Sequence, residues 1–290
     1  MSSDVNCVWE ASAQLGEGPI WEEEEQALYW LDIKSPAIHR FHPASAQTDT
    51  WSMPERIGCI VRRESGGFVV GLKSGFAFLD LPEGRIEKIK DPEPALPGNR
   101  LNDGKCDLQG RLWVGSMDDG EIHPTGGLYR LDTDLSCHRM DGQYVVTNGP
   151  AFSPDGRVIY HTDSLGRTIY THDLQEDGTL SGKRPFVRFT EEEGYPDGMT
   201  TDVEGFLWVA HWGGWRVSRF TPEGALDQTI FLPVSQVTSC VFGGPDLRVL
   251  YITSASINLS EEASKKEPLA GSLFELPLET GGLLTARFAG

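Results

Sequence analysis

The chain has 290 residues, with 43 acidic against 25 basic side chains and a net charge of −18. That balance repels nucleic acid and anionic membrane, favours solubility and would attract a cation. Hydrophobic content of 39% can fill a core, but no apolar run is long enough to cross a bilayer.

Met1-Ser2-Ser3-Asp4 lacks the basic and apolar regions of a signal peptide, so a cytoplasmic protein is expected. Gly at 33 and Pro at 18 suit a fold with many tight turns. The next piece, Cys7-Val8-Trp9-Glu10, is strand-like and precedes a repeat that occupies most of the chain.

Six stretches can be laid on one another, starting at residues 17, 57, 103, 148, 197 and 239, at intervals of 40 to 49. They open with Glu17-Gly18-Pro19, Ile57-Gly58-Cys59, Asp103-Gly104-Lys105, Asn148-Gly149-Pro150, Asp197-Gly198-Met199 and Ser239-Cys240-Val241. About ten residues later each reaches a second apolar segment: Leu28-Tyr29-Trp30, Phe68-Val69-Val70, Leu112-Trp113-Val114, Val158-Ile159-Tyr160, Leu207-Trp208-Val209 and Val249-Leu250-Tyr251. Repeats of this period with several short strands each predict an all-β, six-bladed β-propeller, one domain over residues 1–290. The leftover Cys7–Glu10 strand is placed to close the ring beside Leu273-Phe274-Glu275-Leu276. Cys59, Cys106 and Cys240 fall on apolar first strands, where a buried thiol is expected rather than a disulfide.

Between the repeats lie several polar stretches. His39 and His42 belong to an alternating strand and read as outward residues. The loop Pro97–Asn102 delivers a guanidinium, Arg100, and an amide, Asn102, just before Asp103. Ser116–Pro124 is too long for a minimal hairpin and suits either a rim over a central site or a surface excursion. Asp163 can bond turn backbone or line the channel mouth. Ser256–Lys266 shows no strand pattern.

In a propeller the first strand of each blade faces the central channel, so equivalent positions converge. The residue before glycine is Glu17, Asp103, Asn148 and Asp197 in four of the six repeats. An acid there can cap its own turn, which accounts for one or two of them. It does not account for a polar residue recurring in phase inside apolar strands. Carboxylates aimed at one point repel unless a cation lies between them. Oxygen donors without Cys or His in register point to one hard or borderline divalent ion: Ca²⁺, Mn²⁺, Mg²⁺, Zn²⁺ or Fe²⁺.

With these residues, Leu15–Pro19, Arg100–Gly104, Gly110–Trp113, Thr147–Pro150, Ser153–Gly156 and Pro196–Gly198 together resemble the signature of the gluconolactonase/regucalcin (senescence marker protein) family. The match runs in order along the whole chain and is most similar to bacterial sugar-lactone hydrolases of the xylonolactonase type. The resemblance implies a divalent metal held by Glu17, Asn148 and Asp197, and a sugar contacted by Arg100 and Asn102. It also implies a substrate-facing glutamate after a Gly-Thr-Met segment. Here the chain reads Ser116-Met117-Asp118-Asp119-Gly120, with Glu121 displaced by one residue, so Asp118 and Glu121 are the candidates on that side.

The chemistry that fits is metal-assisted hydrolysis of a small-molecule aldonolactone, with Asp197 or Asp103 as general base. No Gly-x-Ser-x-Gly elbow or Cys–His pair supports a covalent route. The competing readings are a non-catalytic calcium-binding propeller and a promiscuous ester or organophosphate hydrolase. No obligate protein partner is inferred.

Overall fold

A computed structural model describes residues 5–81 and 83–290. The strands form six four-stranded antiparallel sheets, a six-bladed β-propeller. The inner strands are Gly16–Glu22, Ile57–Arg62, Asn99–Cys106, Thr147–Phe152, Tyr195–Thr201 and Val237–Gly243. Each packs against the inner strands on either side, and the sixth packs against the first. All six second apolar segments expected from the sequence lie inside the next strand of their blade, from Ala27–Asp32 in the first to Val249–Ser254 in the sixth.

Buried apolar side chains divide into six clusters, one at each blade-to-blade interface. The interface between blades six and one is filled like the rest: Val241, Tyr251 and Leu273 meet Trp21, Leu28 and Trp30. Three strands of blade six pair with a fourth drawn from the other end of the chain. Asn6–Trp9 runs antiparallel to Leu273–Pro277, with Cys7 opposite Phe274. Cys59, Cys106 and Cys240 are buried free thiols, as their strand positions imply.

Every inner strand carries a register irregularity at its repeat motif. In blade one Glu17 faces Leu31 but Ile20 faces Tyr29; in blade four Asn148 faces Thr162 but Ala151 faces Tyr160; in blade five Pro196 faces His211 but Met199 faces Val209. Three residues on the inner strand therefore span two on its neighbour. Such bulges bend a strand and re-aim a side chain. The glycine after the polar residue makes the bulge possible. Gly18 has φ +55°, and a Cβ on Gly198 would collide with Ser239 of the next blade.

Two segments depart from the propeller pattern. Ser256–Lys266 contains a short helix, Glu261–Lys266, whose first turn is capped by Ser260 Oγ accepting from Ala263 N at 3.1 Å. The segment after Pro277 runs across blades rather than joining one. It bridges Asp202 through Gly282 and Arg63 through Phe288, and Ala289 N donates to Gly110 O at 3.0 Å. No helix among the described residues is long and apolar enough to cross a membrane.

Candidate active site

Glu17, Asp103, Asn148 and Asp197 come from blades one, three, four and five, and all four are buried. The bulges bring them together along the channel. Glu17 Oε2 accepts from Gly18 N at 2.9 Å, and Asp103 Oδ1 from Gly104 N at 2.8 Å. Each acid thus does bond its own glycine, as the turn-capping alternative requires, but with one oxygen only.

Their electrostatics show that they share one space. Burial, and then the charge of Asp103, raises the Glu17 carboxyl far above the ordinary carboxylate range. Burial, followed by Glu17 and Asp103, does the same to Asp197. Glu17 and Asp197 lie close enough for each to shift the other's ionisation. Asp103 is also raised by burial, but Lys105 and the N–H groups of Gly104 and Gly149 oppose the shift. It is therefore the carboxylate of the three that ionises most readily.

Asn148 is held from both sides. Its Oδ1 accepts from Asn102 Nδ2 at 3.0 Å, and its Nδ2 donates to Ser164 Oγ at 2.9 Å. Asn102 Nδ2 also donates to Thr147 O at 2.7 Å, while Asn102 Oδ1 accepts from Arg100 Nη1 at 2.5 Å. Arg100 Nε in turn donates to Asp119 Oδ1 at 3.1 Å. A continuous polar chain thus runs from Asp119 through Arg100 and Asn102 to Asn148.

Among the described residues, no three His, Cys, Asp or Glu side chains form a metal cage by themselves. The donor set that does suit a hard divalent ion is mixed: the carboxylates of Glu17 and Asp197 with the amide oxygen of Asn148. A cation would relieve the repulsion between these buried carboxyls.

The loop after the second strand of blade three divides the remaining candidates. Asp118 accepts from the backbone N–H groups of Gly120, Ile122 and His123 at 3.3, 3.1 and 2.9 Å, so its carboxylate organises the loop. Glu121 is exposed at φ +57°, and its charge is felt by Lys34, Arg100 and Asp197. Asp119, which the sequence reading passed over, reaches Arg100. The loop is thereby fixed beside the site as a rim. Asp163 instead accepts from Gly166 N at 3.0 Å and belongs to its turn.

Lys105 was also missed. It stands two residues beyond Asp103 on the same inner strand, and its Nζ donates to Met199 O of blade five at 2.8 Å. The spacing was the available signal. Its side chain is half-buried, and burial holds its ammonium below the usual lysine range.

Two wide clefts lie elsewhere, about 540 and 570 Å³, between the outer parts of blades one and two and of blades four and five. In the first, Arg40 is already neutralised by Glu25 and Asp49 at 3.1 and 2.8 Å.

Comparison with known proteins places this geometry in context. The pattern of the SMP-30/Gluconolactonase/LRE-like region matches residues 15–256. The chain is 39% identical to an L-arabinolactonase from Azospirillum brasilense over 95% of this chain and 92% of that protein. It is 37% identical to a 6-deoxy-6-sulfogluconolactonase from Pseudomonas putida over the full length of both. A crystal structure of a calcium-binding protein, regucalcin, from Agrobacterium tumefaciens superposes with a TM-score of 0.94 at 27% identity, covering 98% of this chain and 97% of that one. The chain belongs to the SMP-30/gluconolactonase/LRE-like family.

Proposed function

We propose that the protein is a sugar-lactone lactonase that hydrolyses an aldonolactone to its aldonic acid with the help of one divalent cation. One observation carries the reading: Glu17, Asn148 and Asp197, on three blades, converge beside an Arg100–Asn102 pair bonded directly to Asn148. Glu17, Asn148 and Asp197 would hold the ion, whose chemistry is to polarise a lactone carbonyl and stabilise the charge that develops on its oxygen. The relatives' names include an arabinolactone and a sulfogluconolactone, which support a sugar lactone as the substrate class.

The side chains then have separate tasks. Arg100 and Asn102 hold ring hydroxyls and orient the carbonyl toward Asn148. Glu121, exposed on the rim, is placed to accept from a hydroxyl at the outer end, and Asp118 holds the loop that presents it. Asp197 or Asp103 takes the proton of the attacking water. A bond forms from that oxygen to the lactone carbon, the bond to the ring oxygen breaks, and the same carboxyl returns the proton to the departing alkoxide. Lys105 keeps Asp103 charged for such a role.

The same reading makes residues 1–290 one working unit. The ligands stand on blades one, four and five, so the site exists only in an intact ring. The pairing of Asn6–Trp9 with Leu273–Pro277 would be its latch.

The test is a panel of pentono- and hexonolactones, in γ and δ ring forms, assayed with each divalent ion against a buffer blank at the same pH. Opening of at least one lactone well above the blank, abolished by chelation, is expected. If every lactone opens at the blank rate with every ion, the proposal fails.

A further inference from the structure

Asp119 is one carboxylate facing four cations. Its Oδ1 accepts from Arg100 Nε at 3.1 Å and lies 3.9 Å from Lys34 Nζ; its Oδ2 pairs with Arg56 Nη1 and, at 3.3 Å, with Lys73 Nζ. The four are gathered from three blades. Lys34 follows the second strand of blade one, Arg56 precedes the inner strand of blade two, Lys73 follows the second strand of that blade, and Arg100 lies on the inner strand of blade three.

The donors outnumber what one carboxylate can take. Two oxygens offer about four lone-pair sites, whereas each guanidinium brings five N–H donors and each ammonium three. The other acids nearby do not redress this. Glu55 is occupied by Ser74 N and Ser74 Oγ at 2.8 and 2.7 Å, and Glu121 is a single exposed charge. Lys34 is held below the usual lysine range by burial and then by Arg56 and Arg100, so the cations repel one another where they stand. In a chain of net charge −18 this local excess is not the general character of the surface.

The cluster is also graded from buried to open. Side-chain exposure rises from 3% at Arg100 and 11% at Asp119 to 34% at Arg56 and 42% at Lys73. Arg100, its buried end, is bonded to Asn102 and through it to Asn148. A lactone with its carbonyl near Asn148 and its hydroxyls on Asn102 and Arg100 would thus point its far end at Lys34, Arg56 and Lys73.

We propose that Lys34, Arg56 and Lys73 form a subsite for an anionic group on the end of the lactone remote from its carbonyl, so that the preferred substrate is an anionic aldonolactone bearing a sulfonate, phosphate or carboxylate. This rests on the lactonase reading above and narrows its substrate class. Asp119 acts as the stand-in that keeps the cations gathered when no substrate is bound, and Glu121 disfavours approach of the anion in any other orientation.

The test has a binding arm and a kinetic arm. Titration calorimetry on the full chain compares gluconate with 6-phosphogluconate, 6-sulfogluconate and glucarate, for the wild type and for Arg56→Gln, Lys73→Gln and the double variant. Both positions are partly exposed, so the folded state should tolerate them. The acids with a second anionic group at the far end should bind roughly tenfold or more tighter than gluconate, and the double variant should lose that preference by a similar factor. The preference should also shrink as salt is raised. The arm that binds best identifies the anion. Turnover of the matching lactones should show the same change in the ratio of kcat/KM.

Equal binding of gluconate and of the acids that carry a second anionic group, or variants that weaken all ligands alike, would overturn the subsite and leave these residues as holders of the Asp119 loop. Binding that favours the anions and depends on Arg56 and Lys73, with no lactone opened, would retain the subsite while removing the lactonase reading. Lactone opening without an anionic preference would do the reverse.

Discussion

Asn102 donates its amide Nδ2 to Asn148 Oδ1 over 3.0 Å, and this one bond ties the proposed substrate-holding arm to the proposed metal ligand. The two halves of the site are therefore not independent. Asn148 Oδ1 has a second lone pair free for an ion, and its direction is set by Asn102 on one side and Ser164 on the other.

Arg100→Ala and Asn102→Ala should consequently differ. Arg100 touches Asn102 and Asp119 but no candidate ligand, so its loss should leave metal content near normal and chiefly raise KM. Asn102→Ala frees the Asn148 amide and should lower metal affinity as well, by roughly the 10- to 100-fold usual when a supporting partner of a ligand is removed. Metal stoichiometry measured beside kinetics separates them. Equal metal loss in both variants would show that the bond does not orient Asn148.

Alanine at Glu17, Asn148 or Asp197 should lower metal affinity and turnover together, because each proposed ligand comes from a different blade and cannot be replaced by a neighbour. Excess ion should partly restore Glu17→Ala and Asn148→Ala. Asp197→Asn keeps an oxygen donor but cannot accept a proton. If Asp197 is the base, its metal content should survive while kcat falls by about 10²-fold or more. Near-normal turnover in that variant would transfer the role to Asp103, which Lys105 keeps more readily ionised.

The legibility of this architecture in the sequence follows from its physics. A blade repeats because each inner strand needs the same bulge at the same place, so Glu17-Gly18, Asp103-Gly104, Asn148-Gly149 and Asp197-Gly198 recur in phase and announce both fold and site. Ile57-Gly58 follows the same rule without a polar group. Contacts that join one blade's loop to another's leave no periodic trace. Asp119 finds Lys34, Arg56 and Lys73 only because its loop meets three others, and Asp118 beside it had the same sequence claim to that role. The segment after Pro277 was silent for a related reason. Its backbone bonds go to several blades in turn, so it has neither the alternation of a strand nor the period of a helix.

Acid should destabilise the protein through its buried histidines. Burial holds His161 neutral, with its pKa pushed down to about 3, and His211 likewise to about 4. Neither His161 ring nitrogen has a hydrogen-bond partner among the described residues. Because the folded values lie below the unfolded value, the unfolded chain takes up protons first as pH falls. The histidine contribution to stability should therefore be constant above about pH 6.5 and decline below it, by up to about 1.4 kcal/mol per pH unit for each histidine, until the folded values are reached. The raised carboxyls of Glu17, Asp103 and Asp197 act in the opposite sense, so the histidine contribution is read as a difference. His161→Phe keeps a ring against Tyr144, whose centroid lies 4.9 Å away, and removes the titrating group. The gap in melting temperature between variant and wild type should shift in the variant's favour from pH 6.5 toward 4. A gap that stays constant over that range would show that His161 is not held neutral by the fold.

The C-terminal segment should matter for stability without touching the chemistry. Phe288 is fully buried and joins the cluster between blades two and three, beside Val61, Leu101, Leu112 and Leu131. Its N–H donates to Arg62 O at 2.8 Å, and its carbonyl accepts from Glu64 N at 2.9 Å. Arg287, next to it, pairs with Glu22 and Glu24 of blade one, each at 2.8 Å. The segment thus fastens blades one, two and three to one another away from the acids of the channel. Phe288→Ala removes a ring from a filled interface and leaves a cavity, which costs about 3–5 kcal/mol when the surroundings cannot collapse. Arg287→Ala breaks ion pairs that are partly solvated, and about 1 kcal/mol or less is expected. Denaturant titration should show that order. Turnover per folded molecule, measured well below the transition, should match the wild type in both, because neither residue bonds Glu17, Asn148, Asp197, Arg100 or Asn102. If Phe288→Ala were instead as stable as wild type, its ring would not be part of the core that joins these blades. If it were stable but inactive, the segment would reach the site by a route that the contacts of Phe288 do not contain.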